Sequence, residues 1–359
     1  MTDMTRQEQC AIRPARAVES MAAYAVPRPF AGRSIDLWLD ANECPQPGIV
    51  LAEVAATAAD DAVRRYPARA ELEAMIARQL AVGAEQVLVT AGGDDALDRC
   101  CRAMLEPGRT IVLPTPTFEM IERSANIAGA EVREVPWRDG AYPVEQVAGR
   151  IDESTGIVAV VSPNNPTGAA ASAEDLWRLS DAAGRVGALV MADLAYEEFA
   201  DMPLTAAALA LPNAVIVRTF SKAFGLAGMR VGYAVGPAEA IGWLRAVGSP
   251  YPASAVSLAA AARCLDVGVS VDMIEQVRSE RRALREFLGE RGVPAPPSQA
   301  NFVLGRFNDA PAVQRRLAER GIAVRAYPGI PRLERCLRIT CPGCARAFSR
   351  LCAALGEIL

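Results

Sequence analysis

Between residues 84 and 236 the chain alternates short apolar runs with stretches whose apolar residues recur every three or four positions. Seven runs (Gln86–Thr90, Thr110–Pro114, Glu131–Val135, Ile157–Val161, Ala188–Ala192, Ala214–Arg218 and Val231–Val235) are mostly rich in Val, Ile and Leu. Gly, Pro, Asn or Asp bound each of them, the pattern of buried strands. Among the intervening helical patterns, Asp94–Leu105 places Leu97, Cys101, Met104 and Leu105 on one face and stops at Pro107-Gly108. This alternation predicts an α/β fold: a mostly parallel seven-stranded sheet sandwiched by helices. After residue 237 the texture changes. Ala253–Leu265 and Val271–Arg291 read as long helices, the second striped by Val271, Ile274, Val277, Leu284 and Leu288. Short strands at Asn301–Leu304, Gly321–Arg325 and Cys336–Thr340 then alternate with helices, as in a smaller α+β domain. The first forty residues are polar and contain proline. The expected division is an N-terminal arm over 1–40 packing with the small domain, a large domain over 41–247 and a small domain over 248–359.

A length of 359 residues agrees with about two domains, and 51% hydrophobic with 22% charged residues is an ordinary globular composition. The net charge of −4 gives no electrostatic reason to expect nucleic acid. No apolar run approaches the roughly 18 residues of a membrane span, and the N-terminus lacks the apolar core of a signal peptide. A soluble, cytoplasmic protein is expected.

Two absences narrow the chemistry further. Histidine is missing, which removes Ser-His-Asp triads, His-ligated zinc and imidazole acid–base catalysis. Lysine occurs once, at Lys222, and the other 37 basic residues are arginine. An ε-amine can lose its proton and attack a carbonyl, whereas guanidinium stays protonated. Covalent carbonyl chemistry through an internal amine therefore has one candidate, Lys222. The nine cysteines follow no framework spacing and are odd in number, which argues against a disulfide scaffold. Cys341-Pro-Gly-Cys344 is a C-x-x-C with no second pair and no histidine to complete a metal site, so no metal is expected.

Four segments carry candidate chemistry. In Arg218-Thr-Phe-Ser-Lys-Ala-Phe-Gly-Leu-Ala-Gly-Met-Arg230 a strand ends beside two hydroxyls, the lysine and, eight residues on, an arginine. Thr219, Ser221 and Arg230 suit a phosphate and Lys222 an imine-forming carbonyl, the two halves of one phosphorylated aldehyde. Ser162-Pro-Asn-Asn-Pro-Thr-Gly168 follows another strand, at the end where open α/β sheets bind ligands. Asp193, also at a strand end, can pair with a pyridinium nitrogen or cap a helix, and Tyr196 lies three residues on. In Thr90-Ala-Gly-Gly-Asp-Asp95 bare N–H groups opening a helix can bind phosphate, or the glycines can form a turn with an aspartate cap. The dinucleotide fingerprint is absent.

Together these segments resemble the fold-type-I pyridoxal-phosphate (PLP) enzymes, the aspartate aminotransferase superfamily. Within it they are most similar to the histidinol-phosphate aminotransferases. The likeness extends through Tyr24, Leu37-Trp-Leu-Asp-Ala-Asn-Glu43, Arg65-Tyr-Pro67, Ser298-Gln-Ala-Asn-Phe302, Gly321-Ile-Ala-Val-Arg325 and Leu337-Arg-Ile-Thr340. That resemblance implies that Lys222 holds PLP covalently and moves the proton, and that Asp193 keeps the ring nitrogen protonated. It implies that Asn165 and Tyr196 bond the ring hydroxyl and that Phe118 stacks on the ring. Gly93, Asp94, Thr219, Ser221 and Arg230 would hold the cofactor phosphate, and Tyr66 would reach the neighbouring subunit's cofactor in a homodimer with shared sites. Tyr24, Arg325 and Arg338 would bind substrate. The implied activity is transamination between histidinol phosphate, or a similar phosphorylated or aromatic amine, and 2-oxoglutarate. A threonine-phosphate decarboxylase, an aromatic or specialised-metabolism aminotransferase and a non-catalytic PLP sensor resemble the same segments. Where the family runs Val-Gly-Thr after Arg-Ile-Thr, this chain has Cys341-Pro-Gly343.

Overall fold

A computed structural model describes residues 14–19, 21–23, 32, 34–44, 54 and 64–359. Seven of its strands form one sheet: β2 (Val87–Thr90), β3 (Thr110–Thr115), β4 (Glu131–Pro136), β5 (Thr155–Val161), β6 (Leu189–Asp193), β7 (Ala214–Thr219) and β8 (Gly232–Val235), with β1 (Leu37–Leu39) lying elsewhere. Their spatial order is β2-β8-β7-β6-β5-β3-β4, and only β8 runs antiparallel to its neighbours. All seven expected strands form, most within a residue or two of the expected bounds.

Apolar runs without alternation form these strands because both faces of the sheet are covered. Along β5, Val158 and Val160 join the core beneath helices Ala70–Leu80 and Ala173–Gly184. Ile157, Ala159 and Val161 join the opposite core, under Gly93–Met104, Glu119–Ile127 and Ala238–Ala246. Side chains alternate across a strand, so each run feeds two cores at once. Helix Ala255–Val267 begins past residue 248, yet it buries Leu258, Ala260, Ala261 and Cys264 in the core of this larger sheet.

The second sheet contains β9 (Phe302–Arg306), β10 (Ile322–Ala326) and β11 (Cys336–Thr340), in the order β1-β10-β11-β9. Strand β1 pairs parallel with β10, so residues 37–39, which pattern places in an arm, complete this sheet's edge. Three residues are too few for a period-2 signal, and the long-range pairing supplies what local pattern lacks. Helix Val271–Gly289 packs Ile274, Val277, Leu284 and Leu288 against this sheet, while Val271, in its first turn, stays 73% exposed. Among the described residues no helix is long and apolar enough to cross a membrane.

Candidate active site

Sheet topology explains why distant motifs meet. The parallel strands β5, β6 and β7 end on one edge, and the residues that follow them share it. Strand β8 enters that edge because it runs the other way: Gly232, at its start, lies opposite both Thr90 and Thr219. Arg230 therefore arrives beside the glycines that open helix Gly93–Met104. A Cβ on Gly232 would lie 2.5 Å from the backbone of Gly92, so only glycine permits this approach. Gly92 has φ +85°, and a Cβ there would stand 2.9 Å from Arg230 Nη2. Arg230 itself takes φ 52° and donates to Asp94 at 2.9 Å. Asp95 is spoken for: its carboxylate accepts from the Ala91 N–H and pairs with the fully buried Arg99. The glycine turn is thus present, but no side chain caps the helix; Asp95 fastens the turn before it instead.

A cavity of about 890 Å³ opens at this edge. Its lining includes Gly93, Asp94, Phe118, Asn165, Asp193, Tyr196, Thr219, Ser221, Lys222, Arg230, Arg325 and Arg338, twelve of the fourteen residues singled out in the sequence. Tyr66 is not among them; it is 79% exposed and stacks on Tyr251 at 4.4 Å. Tyr24 lies outside the described residues.

Lys222 follows the end of β7. The Ser221 N–H donates to Thr219 Oγ1, which tightens the turn, and Lys222 Nζ donates to the Ala41 carbonyl at 3.0 Å. Burial, helped by the Arg338 charge, pulls its pKa down to about 8. The strand end itself is fastened by Arg218, whose buried guanidinium pairs with Glu197 and Glu198 and so also fixes the turn after Tyr196.

Asp193 ends β6. It accepts the Ala195 N–H at 3.1 Å and caps no α-helix. No ion pair reaches it among the described residues, and burial pushes its pKa up to about 7. This is a carboxylate in want of a cation. Tyr196 stands edge-on to Phe302 at 5.3 Å, and its hydroxyl accepts from Asn42 Nδ2 at 3.0 Å. In the 162–168 loop the two asparagines divide their work. Asn164 is fully buried and ties Thr117, Pro116 and Thr167 together, while Asn165 faces the cavity and accepts from Arg338 Nη1 at 2.6 Å.

The opposite wall comes from the smaller sheet. Arg325 and Arg338 are directly paired across β10 and β11, so two buried guanidiniums face one cavity from adjacent strands. Like charges set opposite each other are unfavourable unless an anion joins them. The Cys341-Pro-Gly343 departure leaves this wall intact: Cys341 is buried and its N–H donates to the Asn301 carbonyl. Burial raises the Cys341 thiol well above its usual range, Cys344 is exposed, and no metal-holding cluster exists among the described residues.

Asn42 and Tyr327 also line the cavity and were not singled out. Asn42 adopts φ 56° and is fastened to Thr340 and Asn301, both far along the chain. The signal available was Asp40-Ala-Asn-Glu43, a mostly polar stretch directly after the apolar Leu37-Trp-Leu39.

Residues 34–355 match the family described as aminotransferase class I and II. The chain is 35% identical over 328 residues to the histidinol-phosphate aminotransferase of Caldanaerobacter subterraneus, covering 89% of this chain and 92% of that one. To the enzyme of the same name from Geobacillus thermodenitrificans it is 39% identical over 306 residues, 82% and 83% of the two chains. The crystal structure of histidinol-phosphate aminotransferase from Sinorhizobium meliloti in complex with pyridoxal-5'-phosphate superposes with a TM-score of 0.83 at 25% identity, covering 98% of each chain. The mostly parallel sheet with its smaller companion is therefore the fold-type-I arrangement. By descent, then, the chain belongs to the class I and II aminotransferases, in their histidinol-phosphate aminotransferase branch.

Proposed function

We propose that the protein is a PLP-dependent transaminase that exchanges an amino group between histidinol phosphate, or a closely similar phosphorylated amine, and 2-oxoglutarate. The observation that carries this reading is one cavity holding a buried amine, a buried carboxylate without a cation, and two facing guanidiniums. The residues present fit the cofactor. Asp193 offers the negative partner that a protonated pyridine nitrogen needs. The start of a twelve-residue helix, with Thr219, Ser221 and Arg230 around it, offers donors to a phosphate.

When bound, PLP supplies an aldehyde that joins amines and a cationic ring that draws electrons from the substrate carbon. Asp193 would hold the proton on the ring nitrogen. Phe118 would lie against the ring, and Asn165 and Tyr196 would bond its hydroxyl. Lys222 would hold the cofactor, and its ε-amine, once freed, would serve as the base that moves the substrate's proton. A pKa near 8 suits both duties, since a useful fraction of the amine is neutral at working pH. Arg338 presents a planar fork to either a carboxylate or a phosphate, which lets one site accept two unlike substrates. Arg325 adds the second charge. We place a large domain and a small domain on either side of this cavity. The enzyme would work as a cytoplasmic homodimer, and the exposed Tyr66–Tyr251 stack supports a surface meant for a neighbouring subunit.

Incubation of the PLP-loaded protein with histidinol phosphate and 2-oxoglutarate should yield glutamate. No glutamate formed would remove the substrate assignment. A second expectation concerns the phosphate cradle. Gly92→Ala forces a left-handed backbone onto a side chain and pushes Arg230 aside, so PLP affinity should fall about tenfold or more. An absorbance titration of the apo-variant with PLP measures it, and unchanged affinity would detach Gly92 and Arg230 from the cofactor.

A further inference from the structure

Three residues that line the cavity carry buried donors that meet nothing among the described residues: Arg325 Nη1, Arg338 Nε and the Tyr327 hydroxyl. The other nitrogens of the two arginines are largely engaged. Arg338 gives Nη1 to Asn165 and Nη2 to the Asp40 carbonyl, and Arg325 Nη2 stands 3.7 Å from Glu119. Tyr327 is the unexpected member. It lies one residue past the end of β10 and lines the cavity beside Arg325, whose guanidinium stands 5.6 Å from its ring. Leu304, Leu333 and Cys336 pack around it, and only 7% of the residue is exposed. Burial raises the phenol pKa against the opposing pull of Arg338 and Arg325, so the hydroxyl keeps its proton at neutral pH and can donate. A buried hydroxyl left without a partner is destabilising, and phenylalanine would fill the same apolar cluster without that penalty.

We infer that Tyr327 is a specificity-determining residue that donates to the substrate's phosphate group, forming with Arg325 and Arg338 a three-donor subsite for a phosphate monoester. This rests on the transaminase reading above and narrows its substrate class. A terminal phosphate offers three oxygens to three donors. A carboxylate offers two, which the arginines satisfy, and leaves the phenol unmet. The amine substrate therefore depends on Tyr327 and the keto acid does not.

The test is Tyr327→Phe in the PLP-loaded enzyme, with cofactor absorbance and Tm confirming the fold. Calorimetric titration with inorganic phosphate should show about tenfold weaker binding than wild type. With both substrates, kcat/KM for histidinol phosphate should fall about tenfold and that for 2-oxoglutarate less than threefold. Phosphate binding that is absent in wild type or unchanged in the variant overturns the inference, and so does an equal loss toward both substrates. Weakened phosphate binding in a variant whose wild type ignores histidinol phosphate would uphold the subsite and sink only the substrate assignment.

Discussion

Lys222→Arg is expected to abolish transamination, lowering kcat by about 10⁴-fold or more, with the fold preserved. The charge survives this substitution but the chemistry does not. A guanidinium neither gives up its proton nor condenses readily with an aldehyde. No second lysine exists to take over. The wild-type ε-amine is set up for the work by its surroundings: burial and the Arg338 charge depress its pKa to about 8, and the Ala41 carbonyl fixes its direction. Borohydride treatment of holoprotein followed by peptide mass spectrometry should place one covalent label on Lys222 in wild type and none in the variant. Because arginine is bulkier than the cavity floor was built for, Lys222→Ala serves as the control for folding. Turnover retained in either protein would remove the amine from the mechanism.

Asp193→Asn should have two effects of opposite kind. With cofactor, turnover should drop about 10²–10³-fold, because the amide cannot hold a proton on the ring nitrogen by charge. Without cofactor, the variant should be the more stable protein at pH 8. Burial raises the Asp193 pKa to about 7, against 3.8 for the free group. Between about pH 4 and 7 the folded chain thus binds a proton that the unfolded chain has released, so the wild type loses stability as pH rises through that window. Above pH 7 the buried charge is fully present, and removing it should gain on the order of 2 kcal/mol. Thermal melts of apo wild type and apo variant at pH 5 and pH 8 measure this. The gap should open toward pH 8. A gap that stays constant, or favours the wild type at pH 8, would mean that Asp193 already has a cation in the empty protein.

The larger sheet was legible in the chain because all of its strands but the edge strand β4 are sealed on both faces, which leaves continuous apolar runs between turn residues. Its ligand-bearing edge was legible for the same reason: motifs directly after such runs must lie at strand ends. What pattern did not reveal depends on pairing between distant segments. Strand β1 is three residues long and acquires its identity from β10. Asn42, just beyond it, enters the site through bonds to Thr340, Asn301 and Tyr196. Tyr327 lies one residue past β10, and packing against Leu304, Leu333 and Cys336 brings it to the cavity. The fully buried Arg99 was invisible to hydrophobic periodicity, since it resides in the core by bonding Asp95 and the Leu244 and Ser249 carbonyls.

The arrangement around Ala41 has a practical sequel. Apart from the α-amine, this polypeptide offers amine-selective reagents a single target, and that target lines the cavity. Reagents too large to enter leave it untouched, and small ones modify it only in molecules that have not yet been charged. The modified fraction therefore counts vacant sites directly, a built-in gauge of occupancy that lysine-rich proteins do not provide.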